Sequence, residues 1–164
     1  MTDLLKKTDI SGVWLAQARR YADDRGWLIE TWRQDWLESP ELVPATPVMS
    51  YLSLTRPGVS RGPHEHREQA DYLCFPGPSM FKVYLWDGRS DSPTEGKHLT
   101  FLLGESNPGI LIVPPGVIHA YKNVGSTDGL VLNLPNRLFA GRGKTEQVDE
   151  IRHEDDSESR FRLD

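Results

Sequence analysis

The sequence predicts an all-β fold, an antiparallel sandwich or barrel, on three observations. From about residue 45 to 135, short runs of β-branched and aromatic residues recur between clusters of Gly, Pro, Asn and Asp. Within the run at 81–86, Phe81, Val83 and Leu85 alternate with Lys82, Tyr84 and Trp86, the period of two that separates the faces of a strand. The 14 glycines and 12 prolines supply many turns without forming a low-complexity block.

The elements follow in chain order, and the 164 residues divide into three parts of one domain. In the N-terminal arm, residues 1–44, WLIETW (27–32) follows the turn DDRG as a strand. RQDWLES (33–39) then sets Trp32, Trp36 and Leu37 at helical spacing until Pro40 stops it, giving a helix of one or two turns. The core, residues 45–135, contains VMSYLSL (48–54), DYLCF (71–75), FKVYLWDG (81–88), KHLTFLL (97–103), GILIV (109–113), AYKNV (120–124) and GLVLNL (129–134). Turn signals such as DGRSDS, GESNPG and GSTDG divide these runs into seven or more strands. The C-terminal segment, residues 136–164, is acidic: its last twenty residues hold eight carboxylates and three arginines and read as a solvated tail that wraps the domain or is disordered at its end.

Composition narrows the function. With 24 acidic against 19 basic side chains, the net charge of −5 carries no nucleic-acid footprint. The longest aliphatic run, at 110–113, falls far short of the roughly 18 residues of a membrane-spanning helix, and MTDLLKKTDI lacks the apolar core of a signal peptide, so a cytoplasmic protein with no membrane partner is expected. One cysteine, Cys74, excludes an internal disulfide and a Cys-based zinc site. Placed between Leu73 and Phe75 with no cation beside it, it reads as packing rather than as a nucleophile.

The residues with chemistry are histidines. GVSRGPHEH places His64 and His66 two apart, which on a strand puts both on one face with Cα atoms about 6.6 Å apart. PPGVIHAYKN puts His119 just past a Pro-Pro-Gly turn, where a third imidazole can converge from across a barrel, and Asp71 offers a carboxylate five residues beyond His66.

Gly58, His64, His66 and Asp71, followed by Pro114, Gly116, His119 and Asn123, resemble the paired cupin motifs, with Asp71 in the place of the usual glutamate. More specifically, DDRGWLIETW (23–32), RGPH (61–64), LWDGRSDSPTEGK (85–97), VPPGVIHAY (113–121) and DEIRHEDD (149–156) are similar to the dTDP-4-dehydrorhamnose 3,5-epimerase family. The resemblance implies a cupin-type antiparallel β-jelly roll, a double-stranded β-helix, with one or two short helices. It implies a homodimer that removes protons beside the ketone of a nucleotide-linked 4-keto sugar and needs no cofactor. His64 falls at the base position, Asp155 at its aspartate partner, Arg25, Glu30 and Arg61 at nucleotide and diphosphate positions, and His119 at a substrate-contacting position.

The chemistry is consistent with those roles. Carbanion formation beside a ketone needs a base poised near neutral pH and positive or hydrogen-bonding groups at the carbonyl oxygen, and histidine with arginine supplies both. The sequence departs from the family pattern as well. Asp71 or Tyr72 stands where a lysine is expected, Leu132 and Leu138 where tyrosines are expected, and Met49 and Tyr51 where glutamine and asparagine are expected. Tyr72 or Tyr51 is then the expected replacement acid. On the alternative reading, His64, His66, Asp71 and His119 together ligate a divalent ion, iron, nickel, zinc or manganese, in a metal-dependent cupin enzyme acting on a sugar or small metabolite, and a third reading is a non-catalytic sugar-binding cupin.

Overall fold

The computed structural model describes residues 5–164, and two antiparallel sheets face each other in it as a jelly roll. The first sheet runs, edge to edge, through β1 (Lys6–Lys7), β2 (Trp14–Gln17), β10 (Gly109–Val113), β7 (Asp71–Gly77), β12 (Gly129–Asn133) and β5 (Tyr51–Thr55). The second runs through β13 (Ile151–Arg152), β6 (Ser60–Glu65), β11 (Val117–Asn123), β8 (Met80–Asp87) and β9 (His98–Gly104). A separate hairpin joins β3 (Arg20–Asp23) to β4 (Gly26–Ile29). The predicted helix is present as a single 3-10 turn at Gln34–Leu37, with a second at Val43–Ala45, the latter carrying Pro44 in its first turn, where a missing N–H breaks no helical bond.

Period-two alternation builds the core. Phe81, Val83 and Leu85 of β8 point inward to meet Leu73 and Phe75 of β7, Leu111 and Val113 of β10, and Val131 of β12. The opposite faces of β7 and β10 are covered as well: Tyr72, Cys74, Ile110 and Ile112 pack beneath Leu37 and Leu42 of the N-terminal arm and Ala45 just after it, with Trp14 and Trp36 against them. Burial on both faces explains why DYLCF and GILIV read as continuous apolar runs rather than as alternations. Cys74 is fully buried, and desolvation pushes its thiol up to about 12, so packing is its role.

The acidic tail wraps the molecule. β13 pairs with β6, Phe161 packs against Trp86, and Asp164 ion-pairs with Lys82 at 2.6 Å. Among the described residues no helix is long and apolar enough to cross a membrane.

Candidate active site

The inward rows that carry the core turn polar at one end. Asp71 opens β7 on the same face as Leu73 and Phe75, and His119 lies on β11 two residues before Tyr121. In the antiparallel pairing of β11 with β6, His119 is the direct partner of His64, and their rings meet edge to face with centroids 4.4 Å apart. Gly62, at φ +79°, makes room for this approach: a Cβ there would stand 2.5 Å from the His119 carbonyl oxygen and 3.0 Å from His64 Nδ1. His66 lies one residue beyond β6, its ring centroid 5.5 Å from that of His64 and 5.8 Å from that of His119.

Asp71 ties two of these rings together. Its Oδ2 lies 3.2 Å from His66 Nε2 and 3.1 Å from His119 Nε2, and Gln69 donates to its Oδ1 at 2.8 Å. The second nitrogens face backbone: His66 Nδ1 meets the Asp149 carbonyl and His119 Nδ1 meets the Val117 carbonyl at 3.1 Å. The Asp149 side chain accepts the N–H groups of Arg67, Glu68 and Gln69 at 2.8–2.9 Å, fixing the turn that carries Gln69.

The electrostatics separate the three histidines. Burial, with the neighbouring His119 and His66, lowers His64 to about 2 against the pull of Asp71, so the half-buried ring is neutral. Burial also opposes charge on His66, but Asp71 and the Asp149 carbonyl outweigh it and raise that ring to about 9. Burial works against charge on Asp71 too, yet the bonds from His119 and His66 hold it well below the usual carboxylate range. The histidine, aspartate and glutamine side chains line a cavity of about 1020 Å³.

Several positions differ from the expectations. Tyr72 is fully buried on the face of β7 opposite Asp71, under the N-terminal arm, so it cannot serve as an acid in the cavity: adjacent residues of a strand point to opposite faces. Leu132 likewise packs on the outer side, and its neighbour Asn133 is the one that lines the cavity. Asp155 is exposed in the turn after β13 and makes no hydrogen bond to His64. The residue of β13 opposite His64 is Arg152. Arg25, whose side chain is 90% exposed, is held by Asp23, and Glu30 is held by Arg33. Neither lines the cavity of its own chain. Arg61 does line it, bonded to Thr55 Oγ1 and the Leu54 carbonyl at 3.0 Å, and so does Tyr51, whose hydroxyl accepts from Asn133 at 2.7 Å and is pushed by burial up to about 12.

Sequence reasoning missed Tyr121, Gln69, Asn133 and Asp149. Tyr121 had a signal, two residues from His119 on one strand face, whereas Asp149 was hidden in a charge run that resembles a solvated tail.

Residues 7–139 match the model of the dTDP-4-dehydrorhamnose 3,5-epimerase family. The chain belongs to that family. Isomerase activity, as a sugar epimerase, goes with this membership. Among relatives of the epimerase, a protein of Haloferax volcanii described as the probable low-salt glycan biosynthesis epimerase Agl13 is 40% identical over 119 residues, 72% of this chain and 73% of its own. The spore coat polysaccharide biosynthesis protein SpsL of Bacillus subtilis is 36% identical over 118 residues, 72% of this chain and 74% of its own. The dTDP sugar isomerase of Desulfovibrio desulfuricans superposes with a TM-score of 0.78 at 25% identity, covering 97% of this chain and 93% of that one.

Proposed function

We propose that the cavity takes a dTDP-linked 4-keto-6-deoxy sugar and inverts one or both carbons beside its ketone, as a step in building a polysaccharide or deoxysugar. The observation that carries this is the placement of His64, which lines the cavity as the cross-strand partner of His119 in a chain of this epimerase family. His64 takes the proton from the carbon beside the ketone, and the electron pair moves to the carbonyl oxygen, where the positive charge that Asp71 favours on His66 stabilises the enolate. Tyr51, whose hydroxyl lies in the cavity beside Asn133 and is protonated at neutral pH, returns a proton to the opposite face and is recharged from solvent. Arg61 supplies a fork of donors for the diphosphate. The chemistry moves protons only, so no redox cofactor enters it.

Protein incubated in D2O with dTDP-4-keto-6-deoxyglucose is expected to place deuterium at the carbons beside the ketone. His64→Ala should lower the exchange by roughly 10²–10⁴-fold, and Tyr51→Phe should slow reprotonation. Exchange that survives unchanged in His64→Ala would sink the assignment.

A homodimer belongs to the same proposal, with Arg25 of each hairpin and Glu30 just after it serving the neighbouring cavity. The hairpin exposes Trp27 and Leu28, 50% and 62% accessible, and the edge strand β5 exposes Leu52 and Leu54, 61% and 51% accessible, an apolar supply large enough to join copies. Sedimentation is expected to give a dimer, and a Trp27→Ser, Leu28→Ser variant a monomer. A wild-type monomer at micromolar concentration would remove this part.

A further inference from the structure

Two tyrosines bring hydroxyls to the cavity, and their hydrogen bonds give them different roles. Ser53 donates its one hydrogen to the Val131 carbonyl at 3.3 Å, so in its 3.2 Å contact with Tyr121 it accepts. The Tyr121 proton is therefore committed to Ser53. Tyr51, two residues before Ser53 on β5, has the opposite arrangement. Its oxygen accepts from Asn133 Nδ2 at 2.7 Å, and among the described residues its own hydrogen meets no acceptor.

Asn133 is held to keep it so. It is the cross-strand partner of Tyr51 in the β12–β5 pairing and of Leu73 in the β12–β7 pairing, so a strand on each side fixes its backbone, and the residue is only 3% exposed. The orientation of its amide follows from what each choice leaves unpaired. With Nδ2 toward Tyr51, a single acceptor, Oδ1, is buried without a partner among the described residues. The reverse would bury both N–H groups at that place, and two orphaned donors cost more than one orphaned carbonyl oxygen. The same N–H favours the charged form of Tyr51: burial and the nearby Asp71 raise the hydroxyl, and the Asn133 bond pulls the other way.

We propose that Asn133 is a positioning residue for the return of the proton: its N–H occupies a lone pair of the Tyr51 oxygen and leaves the Tyr51 O–H free for the sugar. This rests on the epimerase reading. Tyr51 stands on the first sheet and His64 on the second, so a sugar held between them meets its acid and its base from opposite sides. The Tyr51 O–H bond breaks as a C–H bond forms at the carbon that lost its proton, and the electron pair stays on the phenolate oxygen under the Asn133 N–H. Solvent then reprotonates the phenolate, and nothing is oxidised or reduced.

Asn133→Leu keeps the volume and removes the donor, and Asn133→Asp puts an acceptor where the donor was. With dTDP-4-keto-6-deoxyglucose in D2O, each should lower inversion by roughly 10–100-fold and exchange by less, because His64 still removes the proton and returns deuterium to the same face. The inverted share of the deuterated sugar therefore drops, which a general loosening of the cavity would not produce. Circular dichroism checks the folding of each variant. Adding Asn133→Leu to Tyr51→Phe should cost less than about threefold more, since no hydroxyl is left to position. A proton–nitrogen correlation spectrum reads the bond without substrate: the side-chain amide signals absent from Asn133→Leu should shift in Tyr51→Phe.

Amide signals that do not shift, an inverted share equal to the parent's in the folded variants, or losses that multiply in the double variant would overturn the role of Asn133. Shifted amide signals in a protein whose parent form exchanges no deuterium would instead remove the epimerase reading and leave the bond.

Discussion

The two ends of the sandwich interior are built on the same strands and differ in what they hold. At one end Phe75, Phe81 and Tyr121 meet with ring centroids 5.5–5.6 Å apart. At the other, Asp71 of the Phe75 strand and His119 of the Tyr121 strand join His64 and His66 in a group whose imidazole centroids lie 4.4–5.8 Å apart. Tyr121 marks the border, its ring in the aromatic trio and its hydroxyl 3.2 Å from Ser53 Oγ in the cavity. The inward alternation is identical at both ends, so periodicity shows which residues share the interior and only their chemistry shows which end reacts. Removing an apolar contact should therefore weaken folding without touching the reaction.

Phe81→Ala tests that separation most strongly. Phe81 is fully buried and touches both other rings of the trio, so truncation should lower stability by about 3–5 kcal/mol in urea unfolding. The exchange rate per folded molecule should stay that of the parent. A matching fall in exchange would show that the two ends act as one unit.

Asp87 sharpens the comparison because it too is a buried carboxylate ending an inward row, after Phe81, Val83 and Leu85. Where Asp71 meets two imidazoles and an amide, Asp87 meets a guanidinium and two hydroxyls: Arg89 at 2.8 Å and Ser92 and Thr94 at 2.6 Å. Burial raises its carboxyl, but the bonds from Arg89, Ser92 and Thr94 outweigh this and leave it well below the usual range. A folded-state value below that of the unfolded chain means stability present above about pH 4 and lost as the pH falls further. Asp87→Asn should cost about 2 kcal/mol at neutral pH and flatten that acid limb of the stability curve, while exchange by folded protein persists.

The same contrast explains how much was legible in the sequence. The strands from 71 to 133 and the grouping of His64, His66, Asp71 and His119 follow from residue type and spacing, because strand pairing turns such spacing into proximity. Asp155 was misplaced because a charge run has no period to fix its register, and the residue that acts on the site from that run, Asp149, does so through its backbone carbonyl, which any side chain would offer. The direction of Tyr72 was legible, since strand parity sets it against Asp71, but a positional match to a lysine overrode that parity.

Tyr72→Phe, the smallest expected effect, checks the parity argument directly. Among the described residues the Tyr72 hydroxyl is buried without a hydrogen-bond partner, and desolvation raises its pKa far above the ordinary range, so it neither ionises nor donates to substrate. Removing an unpaired buried hydroxyl should leave stability unchanged or raise it by about 0.5 kcal/mol, and deuterium exchange should match the parent. Tyr51→Phe, one sheet edge away but inside the cavity, should slow exchange instead. If the phenylalanine at 72 were the one that slowed it, the outward face of β7 would have to reach the substrate, and the division of each strand into a packing side and a reacting side would fail at its clearest point.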